Sequence, residues 1–283
     1  MQILDNIKHA MRRLTGTSPK TDASFSKTET GSWKFNVDLP KSWQELTQQQ
    51  LHYVYLLLSL GTPMSELKVW CFVRFSGLNV AARGEEGWIF AYHVRLGKTE
   101  YFQLSEEVIN WAVQELDFLD SYPDTPAVVK HFGEYYAVDP LLHDITFGEY
   151  LALENMYQGY LATKEQLPLI NMTRTLYRNI HGERPKKVNN VQCLAVAVWY
   201  ASFKTFCTDH WPHLFRKTSE DEEQEPIDME ERMNAQIRAL TGGDATKEHE
   251  VLELNLWRAL TEMDAKARDA EEQKRELDKL KNK

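Results

Sequence analysis

Cysteine is scarce in this sequence, with 3 residues among 283. The number is odd, and Cys71, Cys193 and Cys207 each lie in an apolar, helix-like stretch. A fold that depends on a disulfide framework is therefore excluded. We expect the three side chains to be buried, reduced thiols.

The sequence also has no long hydrophobic run. No stretch approaches the roughly 18 apolar residues that a membrane-spanning helix needs. Lys8, Arg12 and Arg13 interrupt the apolar positions of the first 14 residues, which excludes a secretory signal there. These absences predict a cytoplasmic protein that does not enter a membrane.

A broad basic surface is missing as well. The net charge is −9, and eight of the negative charges lie between residues 220 and 231, where there is no Lys or Arg. Without those eight, 34 acidic residues face 33 basic ones, so the rest of the chain is nearly neutral. The composition therefore does not favour nucleic acid as the partner.

Motifs of catalysis and cofactor binding are also lacking. There is no G-x-S-x-G, no H-E-x-x-H and no glycine-rich strand–helix turn. Gly97-Lys98-Thr99 ends like a phosphate-binding loop, but Tyr92 occupies the position of the required first glycine. A hairpin turn is the favoured interpretation of this segment. We predict no catalytic residue and no cofactor.

One group of residues has the composition of a zinc site: Cys193, Cys207, His210 and His213. Structural zinc sites pair their ligands around a knuckle, and Cys193 lies several helical turns before the others. A helix that ends in an aromatic-rich loop, with buried thiols, fits the spacing better. No metal is predicted.

What remains is the composition of a globular protein, with 42% hydrophobic and 27% charged residues. Hydrophobic periodicity predicts a mostly α fold, a helical body with a small β-hairpin or strand element and a long C-terminal helix. The predicted segments are an amphipathic N-terminal arm (1–14), a flexible linker (15–32), a mainly helical body (33–217), an acidic linker (218–231) and a helical C-terminal tail (232–283).

Capping signals and punctuation place the individual elements. Ser42 with Glu45 and Thr146 with Glu149 match the capping-box pattern, which predicts a helix start at each pair. We expect a strand over 33–39, a hairpin from 88–96 and 100–104, and helices over 42–59, 64–75, 106–118, 147–160, 167–177, 191–206, 233–240 and 246–281.

Two sets of side chains are candidates for binding a partner. The first is the apolar face at the start of the last helix: Leu252, Leu256, Trp257, Leu260 and Met263. Such a face on a tail that is otherwise polar is typical of helix-in-groove recognition of another protein. The second set is a local basic cluster: Arg174, Arg178, Arg184, Lys186 and Lys187. It is either a solvated helix end or a contact for an acidic partner, including a nucleic-acid backbone.

Four stretches resemble proteins encoded among the tail genes of tailed bacteriophages and prophages. They are ITFGEY at 145–150, the segment 169–178 that ends in TLYR, RALTGGDATKE at 238–248 and LWRALT at 256–261. The family that they resemble is the tail assembly chaperones. The resemblance implies a protein that holds the tape-measure protein before the tail tube polymerises around it.

The leading hypothesis is therefore a non-enzymatic assembly factor in the cytoplasm of the host cell, with a tail or tape-measure protein as its partner. A structural virion protein of the neck, connector or tail is the alternative, and its place would be the virion. A nucleic-acid-binding protein or enzyme of a mobile element is a further alternative. Each of these leaves a homo-oligomer open.

Overall fold

Helices predominate in the structure, a computed structural model, and this confirms the predicted mostly α class. It describes residues 24–27, 33–93, 99–215 and 229–281, and for 24–27, 33–36 and 93 it describes the backbone alone. The chain divides into two compact units, Met1–Ser121 and Tyr122–Lys283. This division differs from the predicted body of 33–217, because helices after residue 229 complete the core of the second unit.

The first unit combines helices with a small sheet. Its elements are β1 (Ser24–Lys27), β2 (Trp33–Asn36), α1 (Gln48–Ser59), α2 (Met64–Phe75), β3 (Asn79–Arg83), β4 (Trp88–His93), β5 (Thr99–Leu104) and α3 (Glu106–Gln114). β1 and β2 pair antiparallel, and β3, β4 and β5 form an antiparallel sheet in that order. Part of the predicted linker 15–32 is therefore a strand.

The first predicted capping box is wrong. Ser42 makes no side-chain cap, and Trp43–Glu45 is a short 3₁₀ turn. The capping box lies five residues later, where Thr47 and Gln50 exchange hydrogen bonds and α1 begins at Gln48. The turn lets Trp43 enter the core, where its indole N–H donates to the carbonyls of Phe118 and Ser121 at 3.0 Å.

An ion-pair cluster between a buried lysine and two exposed aspartates fixes α2 to the segment that follows α3. The Nζ of Lys68 lies 2.6 Å from Asp117 Oδ1 and 2.5 Å from Asp120 Oδ2. Burial lowers the pKa of Lys68, but the hydrogen bonds and charges of Asp117 and Asp120 outweigh it and raise the pKa above its usual value. The ammonium group therefore stays charged and holds both carboxylates.

The second unit is almost entirely helical. Its elements are β6 (His131–Phe132), β7 (Tyr135–Ala137), α4 (Phe147–Thr163), α5 (Gln166–Leu176), β8 (Tyr177–Arg178), α6 (Asn190–His210), α7 (Met229–Thr241), α8 (Glu248–Leu252) and α9 (Leu256–Lys281). The Thr146–Glu149 capping box is confirmed at the start of α4. α6 begins at another capping box, Asn189 with Gln192.

The predicted single helix over 246–281 is interrupted at residues 253–255. There the chain runs beside residues 145–147: the Phe147 N–H donates to the Leu254 carbonyl at 2.8 Å, and the Leu256 N–H donates to the Ile145 carbonyl at 3.0 Å. The Asn255 side chain also donates to the His143 carbonyl at 2.6 Å. These bonds stop α8 and set the direction of α9.

Two predicted segments remain, the N-terminal arm and the acidic linker. The N-terminal arm, 1–14, lies outside the described residues. The last three residues of the predicted acidic linker, 229–231, form the first turn of α7, where Glu230 and Glu231 favour a helix N-terminus.

Candidate protein-binding groove

An open apolar groove of about 830 Å³ lies within the first unit, between α2, the β3–β4 pair and the start of α3. Its floor is buried core, formed by Phe72, Phe90 and Ile109. Its walls include two partly exposed valines, Val69 on α2 and Val80 on β3, with exposed fractions of 39% and 47%. We call this feature the α2–β3 groove.

Two tryptophans add to the walls of the α2–β3 groove. Trp70 follows Val69 on α2, and Trp88 opens β4. The guanidinium of Arg83 lies over the Trp88 ring at 5.4 Å and also pairs with Glu106 at 3.3 Å. Tryptophan and arginine are the residue types that carry most binding energy at protein interfaces.

A glycine makes the sharp β3–β4 turn beside the groove. Gly87 has a φ of +152°, and a Cβ there would lie 2.1 Å from the Leu104 carbonyl oxygen. Any side chain would force β4 away from β5. The Gly84 N–H closes the turn by donating to the Gly87 carbonyl at 2.8 Å.

The edge strand of the sheet leaves the groove accessible. β3 pairs only with β4 within the described sheet, and its residues Asn79–Arg83 are all exposed. Its register with β4 shifts between Val80 and Ala82, which is the local irregularity of a β-bulge. Bulges re-aim side chains at sheet edges, and here Val80 lies on the groove wall.

No protein-family model, curated protein or solved structure matches the chain. The geometry of the described residues is therefore what bears on function. An apolar concavity with a polar rim, here Glu106, Asn110 and Arg74, is the usual form of a protein's binding site.

The structure places the predicted partner-binding residues of the C-terminal tail inside the second unit's own core. Leu256, Leu260 and Met263 are buried in the cluster formed with α4, α5 and α6, and Leu252 and Trp257 pack against it. A face predicted from helical spacing alone cannot distinguish a partner's helix from a helix of the same chain. The face exists, and it is covered within the chain.

Trp257 also joins an aromatic cluster at one end of α6. Its ring stacks on His143 at 4.2 Å and lies 5.0 Å from the rings of Trp211 and His210. Its indole N–H donates to the Leu141 carbonyl at 2.7 Å. These contacts hold the start of α9 to the body.

The predicted basic cluster is brought together, but its three arginines contact the protein itself. Arg174 donates to the backbone carbonyls of Pro185 and Lys186 at 3.3 and 3.0 Å. Arg178 donates to Glu149 Oε1 at 2.6 Å, and Arg184 lies 3.8 Å from the same oxygen.

The three arginines thus fix the 179–187 loop, while Lys186 and Lys187 are exposed. The sequence did not reveal Glu149 as their counter-ion, because that residue was already assigned to the capping box.

The candidate zinc ligands have other contacts. Cys207 is buried, and burial raises its pKa to about 12. The His210 ring stacks on Phe206 at 5.2 Å, and His213 Nδ1 lies 3.0 Å from Glu271 Oε2. Within the described ranges, no three His, Cys, Asp or Glu side chains are grouped as metal ligands. Likewise, none of the helices in those ranges has the length and apolar character needed to cross a bilayer.

The sequence did not reveal the α2–β3 groove. The bounds of α2 were predicted correctly, but β3 was not predicted, so no element was expected opposite Val69. The available signal was the width of the apolar stripe on α2, where Val69 and Trp70 extend beyond the face that Leu67, Cys71 and Phe75 bury. A helix with more apolar surface than its own core uses has some left for another contact.

Proposed function

We propose that this protein is a non-enzymatic assembly factor of the tail assembly chaperone kind, and that it binds an apolar segment of its client in the α2–β3 groove. The observation that carries the proposal is the groove itself. It presents valine and tryptophan side chains that the first unit leaves partly exposed. The sequence resemblance supplies the class of client, a tail or tape-measure protein.

A helical client segment suits this groove physically. An amphipathic helix inserts side chains spaced at i, i+3, i+4 and i+7 into such a concavity. Burying Val69 and Val80 against that helix removes apolar surface from water, which is the main driving force of association. The polar side chains of the rim remain in contact with water when the groove is unoccupied.

The test is to co-express the chain with the tape-measure protein of the same phage or prophage and to measure complex formation. The double substitution Val69→Asp with Val80→Asp places two charges in the groove. Binding of the client's apolar face would then have to remove both charges from water. We expect at least a tenfold loss of affinity, which corresponds to about 1.4 kcal/mol or more.

The matched control is Val108→Asp. Val108 is 41% exposed on α3 and does not line the groove, so the same chemical change there should leave affinity within about twofold. Thermal melts of all variants establish that each is folded. Equal affinity of the groove variant and the control would refute the groove as the client site.

A mass-spectrometric inventory of purified particles separates the proposal from a structural role. A chaperone binds the tape-measure protein in the cytoplasm of the host cell and is absent from finished particles. Stoichiometric amounts of the chain in particles would instead identify a virion component and overturn the proposal.

A further inference from the structure

We propose that the N-terminal amphipathic arm of the same chain, residues 3–14, occupies the α2–β3 groove when no client is bound. The biological role of this contact rests on the proposed function, because the arm would act as an internal mimic of the client helix. The contact itself is independent of the client, and it is tested without one.

The arm has the surface that the groove lacks. Ile3, Ile7, Met11 and Leu14 are spaced by four, four and three residues, so they share one helical face. A 12-residue helix is about 18 Å long. Its face offers an apolar ridge to a groove with partly exposed valines on two opposite elements, α2 and β3.

The charges of the arm and of the groove surround are also opposite in sign. The arm carries three bases, Lys8, Arg12 and Arg13, against one acid, Asp5. Around the groove, Glu106 lines the rim, and the exposed Glu85 and Glu86 form the turn just before Trp88. Two cations lie nearby: Arg74, which lines the groove, and Arg83, which pairs with Glu106. The charge difference is small, so the apolar contact dominates and the charges orient the helix.

The connection between arm and groove has a suitable length. Residues 15–23 join the arm to β1, which begins at Ser24 in the same unit as the groove. Nine extended residues span roughly 30 Å. A unit of this size has a radius of gyration of about 14 Å. The tether can therefore reach most of the unit's surface and keeps the arm at a high effective concentration.

The arm's helix should depend on the groove. An isolated helix of 12 residues is marginal in water, because the cost of nucleation is spread over few hydrogen bonds. Docking therefore has to fold the helix as well as bury it, which keeps the contact weak enough for a client to displace. The result is a groove that is covered in the free protein and open to a stronger ligand.

The experiment uses the full chain and a fluorescent peptide of residues 1–16. In the arm variant, three apolar positions are changed: Ile3→Asp, Ile7→Asp and Met11→Asp. A matched variant carries the same three added charges on the opposite face: Gln2→Asp, Asn6→Asp and His9→Asp. Fluorescence anisotropy then gives the affinity of each protein for the peptide.

We expect the arm variant to bind the peptide at least tenfold more tightly than the unmodified chain, because its own arm no longer competes. The matched variant should behave like the unmodified chain. Adding Val69→Asp and Val80→Asp to the arm variant should weaken peptide binding at least tenfold, whereas adding Val108→Asp should change it less than twofold. Amide hydrogen exchange should show greater protection of residues 69–80 in the unmodified chain than in the arm variant.

Three results would overturn the inference: no saturable binding of the peptide to the arm variant, equal binding to the arm variant and the unmodified chain, or binding that ignores the groove substitutions. These outcomes are separable from failure of the proposed function. If the peptide binds the groove and the tape-measure protein does not, the arm contact is supported and the proposed client is refuted. If the tape-measure protein binds the groove and the peptide does not, the arm contact is refuted and the proposed client is supported.

Discussion

Glu154 is the most informative single residue of the second unit. The residue is 5% exposed, and its carboxylate accepts hydrogen bonds from Gln158 at 2.8 Å and from the Tyr200 hydroxyl at 3.0 Å and also pairs with Lys204. Burial raises the pKa of Glu154, but the charge and hydrogen bond of Lys204, with the other two donors, outweigh it and lower the pKa. The group therefore joins α4 to α6 as a satisfied anion.

We expect Glu154→Gln to lower the free energy of unfolding by about 2–3 kcal/mol at pH 7, because the substitution leaves the Lys204 ammonium without its anionic partner. The folded-state pKa lies below the unfolded value of 4.5, so this stabilisation is present above that pH and is lost as the pH falls through the folded pKa. Urea unfolding followed by circular dichroism, at pH 7 and at decreasing pH below 4.5, measures both effects.

Glu272→Gln is the control for this substitution. Glu272 is exposed on α9, so its loss should change stability by less than about 0.5 kcal/mol. The assignment fails if the two variants are equally stable, or if the deficit of Glu154→Gln is as large at pH 3 as at pH 7.

At the scale of elements, α9 has two parts with different roles. Its first turns bury Leu256, Ala259, Leu260 and Met263, whereas its far end carries the exposed Leu277 and Leu280. Between them, Asp264 accepts hydrogen bonds from the His213 and Leu214 N–H groups, both at 2.9 Å. One helix thus begins as core and ends as surface.

Leu256→Ala should destabilise the protein by about 2–5 kcal/mol, since it opens a cavity in a fully buried site. Leu280→Ala removes the same atoms from a side chain that is 68% exposed and should cost less than about 0.5 kcal/mol. Thermal melts compare the two. A large effect of Leu280→Ala and a small one of Leu256→Ala would reverse the assignment of core and surface.

The elements also show what the sequence alone could predict. α2 matches its predicted bounds, and α5 and α6 lie within one to four residues of theirs, because their apolar periodicity is strong and their flanks carry turn or capping residues. β3 was missed because Asn79–Arg83 is short and exposed along its whole length, so it has no alternation to detect.

Tertiary contacts decided the remaining cases. The break at residues 253–255 depends on hydrogen bonds to residues 143–147, more than a hundred positions earlier, which no local pattern encodes. The position of the groove could not be predicted either, because its two walls come from separate elements that only the tertiary structure brings together.

At the scale of the whole molecule, each unit has its own buried core. Residues 128–263 contribute the members of the second unit's main cluster, from Val128 to Met263. The predicted body, 33–217, would cut through this cluster and leave out Val251, Leu256 and Leu260. The predicted boundary was placed at the acidic segment because the composition changes there. The core of the second unit continues beyond that segment.

A fragment of residues 122–283 should therefore fold, with a cooperative thermal transition, because it contains the entire cluster. A fragment of residues 122–217 should show no cooperative transition, since it lacks the side chains of α8 and α9 that fill the same core. Circular dichroism melts of both fragments test this. A cooperative melt of the shorter fragment would show that the C-terminal helices are dispensable.

The position of Leu256–Met263 in that core has a consequence for the order of events during synthesis. A ribosome completes the first unit at Ser121, but the second unit cannot close its core until residue 263 has been made. At ordinary elongation rates the delay is on the order of ten seconds. During that interval the nascent chain exposes apolar side chains of α4 and α6 that α9 later covers. A message truncated before α9 therefore yields a folded first unit followed by an unfolded segment that proteases can cleave.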